Sequence, residues 1–281
     1  MDATADIALS LHQLTILDAA PGRLVDLAAM TGCAHVCLFT IMPDAAKGRY
    51  PLVTPSDVPQ LRAHMKDAGV TIGNIEVFAL DGQEDADAFA RALDVGASLG
   101  ATRATAHIHA ISDPAEAVDR FAAFAAQAEQ FDIVAGLEFM RFSAIRTISE
   151  AAQIVRQAKR GMLACDALHL FRAGGSVEEV AANADLISYV QLSDGPHHCP
   201  DDQRWNEAVK TRELPGKGTF PLADLLSVLH QPLLVEVEVP RWIDKAQGMT
   251  DEDRARAAVD ACKNIVGLAL PLSSPRRSMK G

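Results

Sequence analysis

The sequence predicts a single closed (β/α)8 barrel, on three observations. Eight apolar runs of strand length alternate with eight stretches of helical period from one end of the chain to the other. No linker rich in Pro, Gly or Ser divides them, and no internal repeat is visible. Eight strands exceed the number usual in one doubly wound sheet, so closure into a barrel is favoured. The barrel is assigned to residues 1–270, and the polar, basic end PLSSPRRSMKG (271–281) is assigned to a tail outside the chemistry.

The strands are placed at 5–11 (ADIALSL), 35–39 (HVCLF), 70–78 (VTIGNIEVF), 103–109 (RATAHIH), 133–139 (IVAGLEF), 161–166 (GMLACD), 186–194 (LISYVQLSD) and 233–239 (LLVEVEV). Helices fill the gaps at 21–31, 55–68, 84–99, 113–131, 147–159, 176–183, 221–229 and 251–267. Pro21 and Pro114 mark helix starts, as does Ser176 before VEEV. Gly69, Gly100 and Gly161 mark helix ends. The segment 195–219 is the longest irregular stretch and follows the seventh strand, where long loops are usually functional.

Composition sets the outer bounds. Hydrophobic residues make up 49% of the 281 and charged residues 22%, enough for a large core. A net charge of -11 without a basic stripe argues against a nucleic-acid partner. No apolar stretch reaches the roughly 18 residues of a membrane span. The N-terminal MDATADIALS lacks the order of a signal peptide. The cysteines at 33, 37, 165, 199 and 262 are odd in number and form no CxxC pair, so reduced thiols in the cytoplasm are expected.

Polar residues then stand out where apolar ones should be buried. Glu138, Asp166, Gln191 and Glu238 lie at or near the C-terminal ends of four successive strands, where barrels of this class build their sites. Buried carboxylates need a partner or a cation, and three of them with an amide oxygen suit a divalent metal. Each has a plainer reading: Glu138 paired with Arg141, or Gln191 bonded to a neighbouring side chain. His169, in D-A-L-H, can serve as a base or hold the Asp. Glu236 and Glu238 share a face by period-two alternation, and Glu238, nearer the mouth, is preferred. Asp194 alternates away from Gln191 and is expected either to support a ligand from behind or to anchor a loop. Candidates for substrate contact are Glu76, His109 at the rim, Arg212 as an anion or hydroxyl clamp, and Trp205; Trp242 is a further candidate lining residue.

The pieces L-E-F-M (137–140), D-A-L-H-L (166–170), Y-V-Q-L-S-D-G-P (189–196), R-E-L-P-G-K-G-T-F-P-L (212–222) and V-E-V-P (237–240), in this order, resemble the xylose-isomerase-like barrel superfamily of sugar phosphate isomerases and epimerases. The resemblance covers nearly the whole chain. It implies one divalent ion on Glu138, Asp166, Gln191 and Glu238, with Mn2+ or Mg2+ favoured by all-oxygen ligation over Co2+ or Zn2+. It implies Glu138 and Glu238 as proton-moving groups, with His169 completing the Asp-x-x-His pattern. The expected activity is isomerisation or epimerisation of a small keto-sugar, inositol or related polyhydroxy carbonyl compound, by a homodimer or tetramer. Most epimerases of the group carry His where this chain has Gln191. That departure, with His169 and Arg212, resembles bacterial 3-dehydroshikimate dehydratases, so a lyase acting on a cyclic β-hydroxy ketone is the alternative.

Overall fold

The computed structural model describes residues 7–269 apart from positions 44, 45, 112 and 231. Eight parallel strands close on themselves in sequence order. They are β1 (Ile7–His12), β2 (His35–Phe39), β3 (Thr71–Ala79), β4 (Arg103–His107), β5 (Val134–Glu138), β6 (Met162–Asp166), β7 (Ile187–Leu192) and β8 (Leu233–Val237). β8 returns to pair with β1, so the described chain is one (β/α)8 barrel. The tail expected at 271–281, and residues 5–6 of the expected first strand, lie outside the described residues.

The helices are α1 (Pro21–Thr31), α2 (Val58–Ala68), α3 (Ala86–Leu99), α4 (Pro114–Glu129), α5 (Ile148–Ala158), α6 (Ala167–Arg172), α7 (Val177–Ala181), α8 (Arg204–Lys210), α9 (Leu222–Ser227), α10 (Trp242–Ala246) and α11 (Asp251–Ala269). Reciprocal capping boxes start α5 (Thr147 with Glu150) and α7 (Ser176 with Glu179). Three helices, α6, α8 and α10, were not expected from periodicity, being only five to seven residues long. α6 follows β6 without a loop, because Asp166 ends the strand and its side chain accepts the His169 N–H as an N-cap. α8 lies inside the stretch expected to be irregular. None of the helices among the described residues is long and apolar enough to cross a membrane.

Alternation along the strands sorts the residues. Val190, Leu192, Val235 and Val237 face outward into the large core beneath the helices. Inward, Ala8, Ala164, Tyr189 and Leu234 plug the N-terminal half of the barrel. The Tyr189 ring fits because position 136 is glycine; a Cβ there would meet Tyr189 Cε1 at 3.2 Å. Above this plug the interior turns polar, and the rest of the fold serves to hold that polar column.

The loop after β7 is tied down by one side chain. Asp194 accepts hydrogen bonds from the backbone N–H groups of Gly195, Gly216 and Phe220, at 2.8, 2.9 and 3.1 Å. It acts as a loop anchor, one of the two roles expected of it. Gly218 packs against it so closely that a Cβ would lie 2.2 Å from Asp194 Oδ1 and 2.3 Å from the Gly195 carbonyl oxygen. Gly218→Ala is therefore expected to lower stability by about 1–3 kcal/mol, measured by urea denaturation.

Candidate metal centre

Register brings the polar residues together. Asp166 is the ladder partner of Gln191, Gln191 of Glu236, and Glu236 of Ser10, so β6, β7, β8 and β1 present one continuous row. Glu138 ends β5, and Glu238 lies one residue beyond β8. All five of Glu138, Asp166, Gln191, Glu236 and Glu238 are buried. They divide into an upper tier at the mouth and a lower tier beneath it.

In the upper tier, the ligand atoms of Glu138, Asp166 and His169 lie within 4.8 Å of one another. His169 Nε2 stands 3.7 Å from Glu138 Oε1. Arg212, only 2% exposed, reaches in from the loop after β7. Its Nη1 donates to Asp166 Oδ2 at 2.6 Å and its Nη2 to Glu238 Oε1 at 2.9 Å, while Nε donates to the Ala208 carbonyl at 2.8 Å. The guanidinium is thus buried and clamps two carboxylates of the protein itself, not solvent-facing as a plain loop arginine would be. Glu238 Oε2 is buried and has no hydrogen-bond partner.

The lower tier is a hydrogen-bonded network around two carboxylates. Glu76 Oε2 pairs with His12 Nε2 at 3.0 Å. Glu76 Oε1 accepts from Thr105 Oγ1 at 2.8 Å, Gln191 Nε2 at 3.0 Å and Asn74 Nδ2 at 3.1 Å. Glu76, a candidate for substrate contact, is in this structure a buried carboxylate bonded to neighbouring strands through both oxygens. Glu236 Oε2 accepts from Asn74 and Gln191, each at 3.3 Å, and its Oε1 from Ser10 at 3.4 Å. The carbonyl oxygen of Gln191, like Glu238 Oε2, is buried and unpartnered. His12 was missed in the sequence, although alternation from Ser10 places it inward on β1.

An aromatic arc runs along the rim. Phe142, also missed, stacks with His109 at a centroid distance of 6.4 Å and meets His169 edge-on at 5.3 Å and Trp205 at 5.1 Å. His109 and Trp205 thus lie on the same arc, with Trp205 59% exposed. Trp242 is covered instead by the ammonium groups of Lys210 and Lys245.

Electrostatics distinguishes the acids. Burial, reinforced by Asp166, Glu238 and Glu76, pushes the Glu138 carboxyl well above its ordinary range. Burial also raises Glu238 to about 8, against the pull of Arg212. Burial opposes ionisation of Asp166 too, but Arg212 and His169 outweigh it and hold that carboxyl at about 2. Burial lowers His169 to about 4, with Arg212 and His109 acting in the same direction, so its imidazole is neutral near pH 7. A carboxyl that resists ionisation because it is buried among other acids, together with two buried oxygens lacking donors, is a set of acceptors short of positive charge. Oxygen donors on this pattern fit a divalent cation. Among the described residues, Glu138, Asp166 and His169 offer ligand atoms close enough to share such an ion.

Arg212→Met leaves Asp166 and Glu238 without their counter-charge and is expected to destabilise the protein by about 3–5 kcal/mol, read from urea denaturation. A second expectation concerns pH in the metal-free protein. Because the folded state depresses the proton affinity of His169, the unfolded chain binds a proton that the folded chain refuses. Stability contributed by His169 is full above about pH 6.5 and is lost as pH falls toward about 4. His169→Asn should show a shallower loss of stability over that window than the wild type.

A family model described as xylose isomerase-like TIM barrel matches residues 25–265. Among solved structures, a xylose isomerase-like TIM barrel/4-hydroxyphenylpyruvate dioxygenase fusion protein is similar with a TM-score of 0.78 and 19% identity over 94% of this chain, which spans 43% of that longer one. A structure of IOLI protein with a binding zinc atom gives a TM-score of 0.77 at 17% identity, covering 94% of this chain and all of that one (100%). D-psicose 3-epimerase from Clostridium cellulolyticum H10, with D-tagatose, gives 0.71 at 14% identity, covering 93% and 99%. At these identities the likeness is one of fold. No curated protein matches the chain.

Proposed function

Since the chain belongs to the xylose isomerase-like TIM barrel family, we propose that it is a divalent-metal-dependent isomerase or epimerase of a small polyhydroxy carbonyl compound. The observations that carry this reading are the ligand atoms of Glu138, Asp166 and His169 within 4.8 Å of one another and two buried, donor-free oxygens, Gln191 Oε1 and Glu238 Oε2. A divalent ion held there supplies Lewis-acid polarisation of a carbonyl and stabilises charge that develops on its oxygen. Mn2+ or Mg2+ suits the oxygen set best. The five cysteines are all free and buried, which accords with a cytoplasmic setting.

The protein groups supply the proton chemistry. Glu138 and Glu238, from strands five and eight, both hold protons more tightly than ordinary carboxyls when no cation is bound, by reason of burial. A group of that kind can take a carbon-bound proton and return it. His169, neutral and beside Glu138, is a base or relay for the same transfer. Asp166, kept ionised by Arg212, is suited to holding charge rather than moving protons. The aromatic arc of His109, Phe142 and Trp205 offers a flat apolar wall to one side of a substrate.

Two choices within the reading follow from particular contacts. Glu236 shares the row of Gln191 and is the other strand-eight candidate for the cation, but both its oxygens accept hydrogen bonds in the lower tier. Glu238 keeps a free oxygen, so it is preferred. The dehydratase reading retains His169 and Gln191 but loses Arg212 as a free clamp on substrate, which places it second.

Glu238→Gln is expected to abolish turnover with the fold intact, whereas Glu236→Gln should retain measurable activity; the reverse outcome would move the strand-eight ligand to Glu236. His169→Ala should lower the rate by about 10²–10⁴ fold. Assayed with a panel of keto-sugars and inositols in D2O plus Mn2+, deuterium gain without a new ultraviolet chromophore supports the isomerase. Appearance of a conjugated product from a cyclic β-hydroxy ketone would establish the dehydratase instead.

A further inference from the structure

The Gln191 side chain has one favoured orientation, imposed by two carboxylates that accept from its Nε2, Glu76 at 3.0 Å and, at a longer 3.3 Å, Glu236. Its Nε2 donates to Glu76 Oε1 at 3.0 Å. An ionised carboxylate can only accept, so a flipped amide would set oxygen against oxygen. The Gln191 carbonyl is accordingly turned away from Glu76, into a buried position where no donor meets it. Glu76 is itself fixed. Its second oxygen faces His12 Nε2 at 3.0 Å, and its first is also held by Thr105 Oγ1 at 2.8 Å. His12 is fixed in turn, because its Nδ1 accepts the Leu14 N–H at 3.0 Å. That contact leaves the ring proton on Nε2, which donates to Glu76. The sense of each hydrogen bond is thus set by the one before it, from the backbone after β1 to the free oxygen of Gln191.

We propose that Glu76 and His12 are positioning residues that hold the Gln191 amide with its oxygen presented to the cation. This rests on the metal-centre reading above. An imidazole ligand is oriented by whatever accepts its second N–H. An amide has a further problem: its two ends are nearly the same shape, and the wrong end would turn an NH2 group toward a positive ion. A carboxylate on the far side removes the wrong orientation. It also polarises the amide, placing more electron density on the oxygen that is left free. Glu76 carries charge as well, however, and simple attraction for a cation has to be separated from orientation.

A double-mutant cycle makes that separation. Mn2+ affinity is measured by titration calorimetry on the wild type, Glu76→Ala, Gln191→Ala and the double variant. Loss of Glu76 should weaken Mn2+ binding by about 10- to 100-fold where Gln191 is present, and far less where Gln191 is already alanine. An equal loss in both backgrounds would overturn the inference, because Glu76 would then act by charge alone. Wild-type protein that binds no Mn2+ would overturn the metal reading itself, and the inference with it. Should Glu76→Ala not fold, Glu76→Gln keeps the shape and one acceptor and enters the same cycle with a smaller expected loss. A readout without metal completes the test. By NMR of the metal-free protein, the side-chain Nε2 resonance of Gln191, which donates to Glu76, should shift in Glu76→Gln; an unmoved resonance would overturn the proposed orientation.

Discussion

Burying negative charge is the constraint on which the rest of this molecule depends. Glu76, Glu138, Asp166, Glu236 and Glu238 are each less than one-tenth exposed. An unpaired carboxylate in such a place costs several kcal/mol. The fold meets this demand in three ways. Arg212 neutralises two of the acids at the mouth. Hydrogen-bond donors from Ser10, His12, Asn74, Thr105 and Gln191 satisfy the two in the lower tier. Glu138 has neither and stands beside a neutral imidazole. The pocket is left with more acceptors than its own donors can serve, and that imbalance is what makes a bound cation chemically sensible.

The two tiers are mechanically different. Below, the links run between strands of the sheet itself, and the hydrophobic plug of Ala8, Ala164, Tyr189 and Leu234 closes the barrel beneath them. Above, the contacts that set the mouth come from loops and short helices. Asp166 belongs to both worlds. It ends β6, caps α6 through the His169 N–H, and takes the Arg212 guanidinium on its other oxygen. One side chain thereby sets the direction of the helix that carries His169 and the place of the loop that carries Arg212.

Much of this was legible in the sequence, for a physical reason. A carboxylate or amide inside an apolar run of period two is conspicuous, because alternation alone tells which face it must occupy. Glu138, Asp166, Gln191, Glu236 and Glu238 were found that way. What alternation cannot give is height, because the level of a residue in the barrel depends on the register between strands. The sequence therefore could not show that Glu76 lies a tier below Glu138 and Asp166. Nor could it show the carboxylates that Arg212 holds, which come from β6 and from beyond β8, distant in the chain. His12 stood on the correct face of β1 but gave no sign of a partner. Phe142, in the loop after β5, carries no periodic signal at all. The helices α6, α8 and α10 are too short for a 3.6-residue period to show.

The single-residue hitch at Asp194 has an evolutionary consequence. By binding three backbone amides of the segment that follows, it fastens the stretch bearing Arg212 to the end of β7. Trp205, on α8 between these two fixed points, stands out in solvent. Exchange of the Trp205 side chain alone therefore leaves in place both the Asp194 ties and the Ala208 carbonyl that accepts from Arg212, so drift at this one position costs the charged interior little.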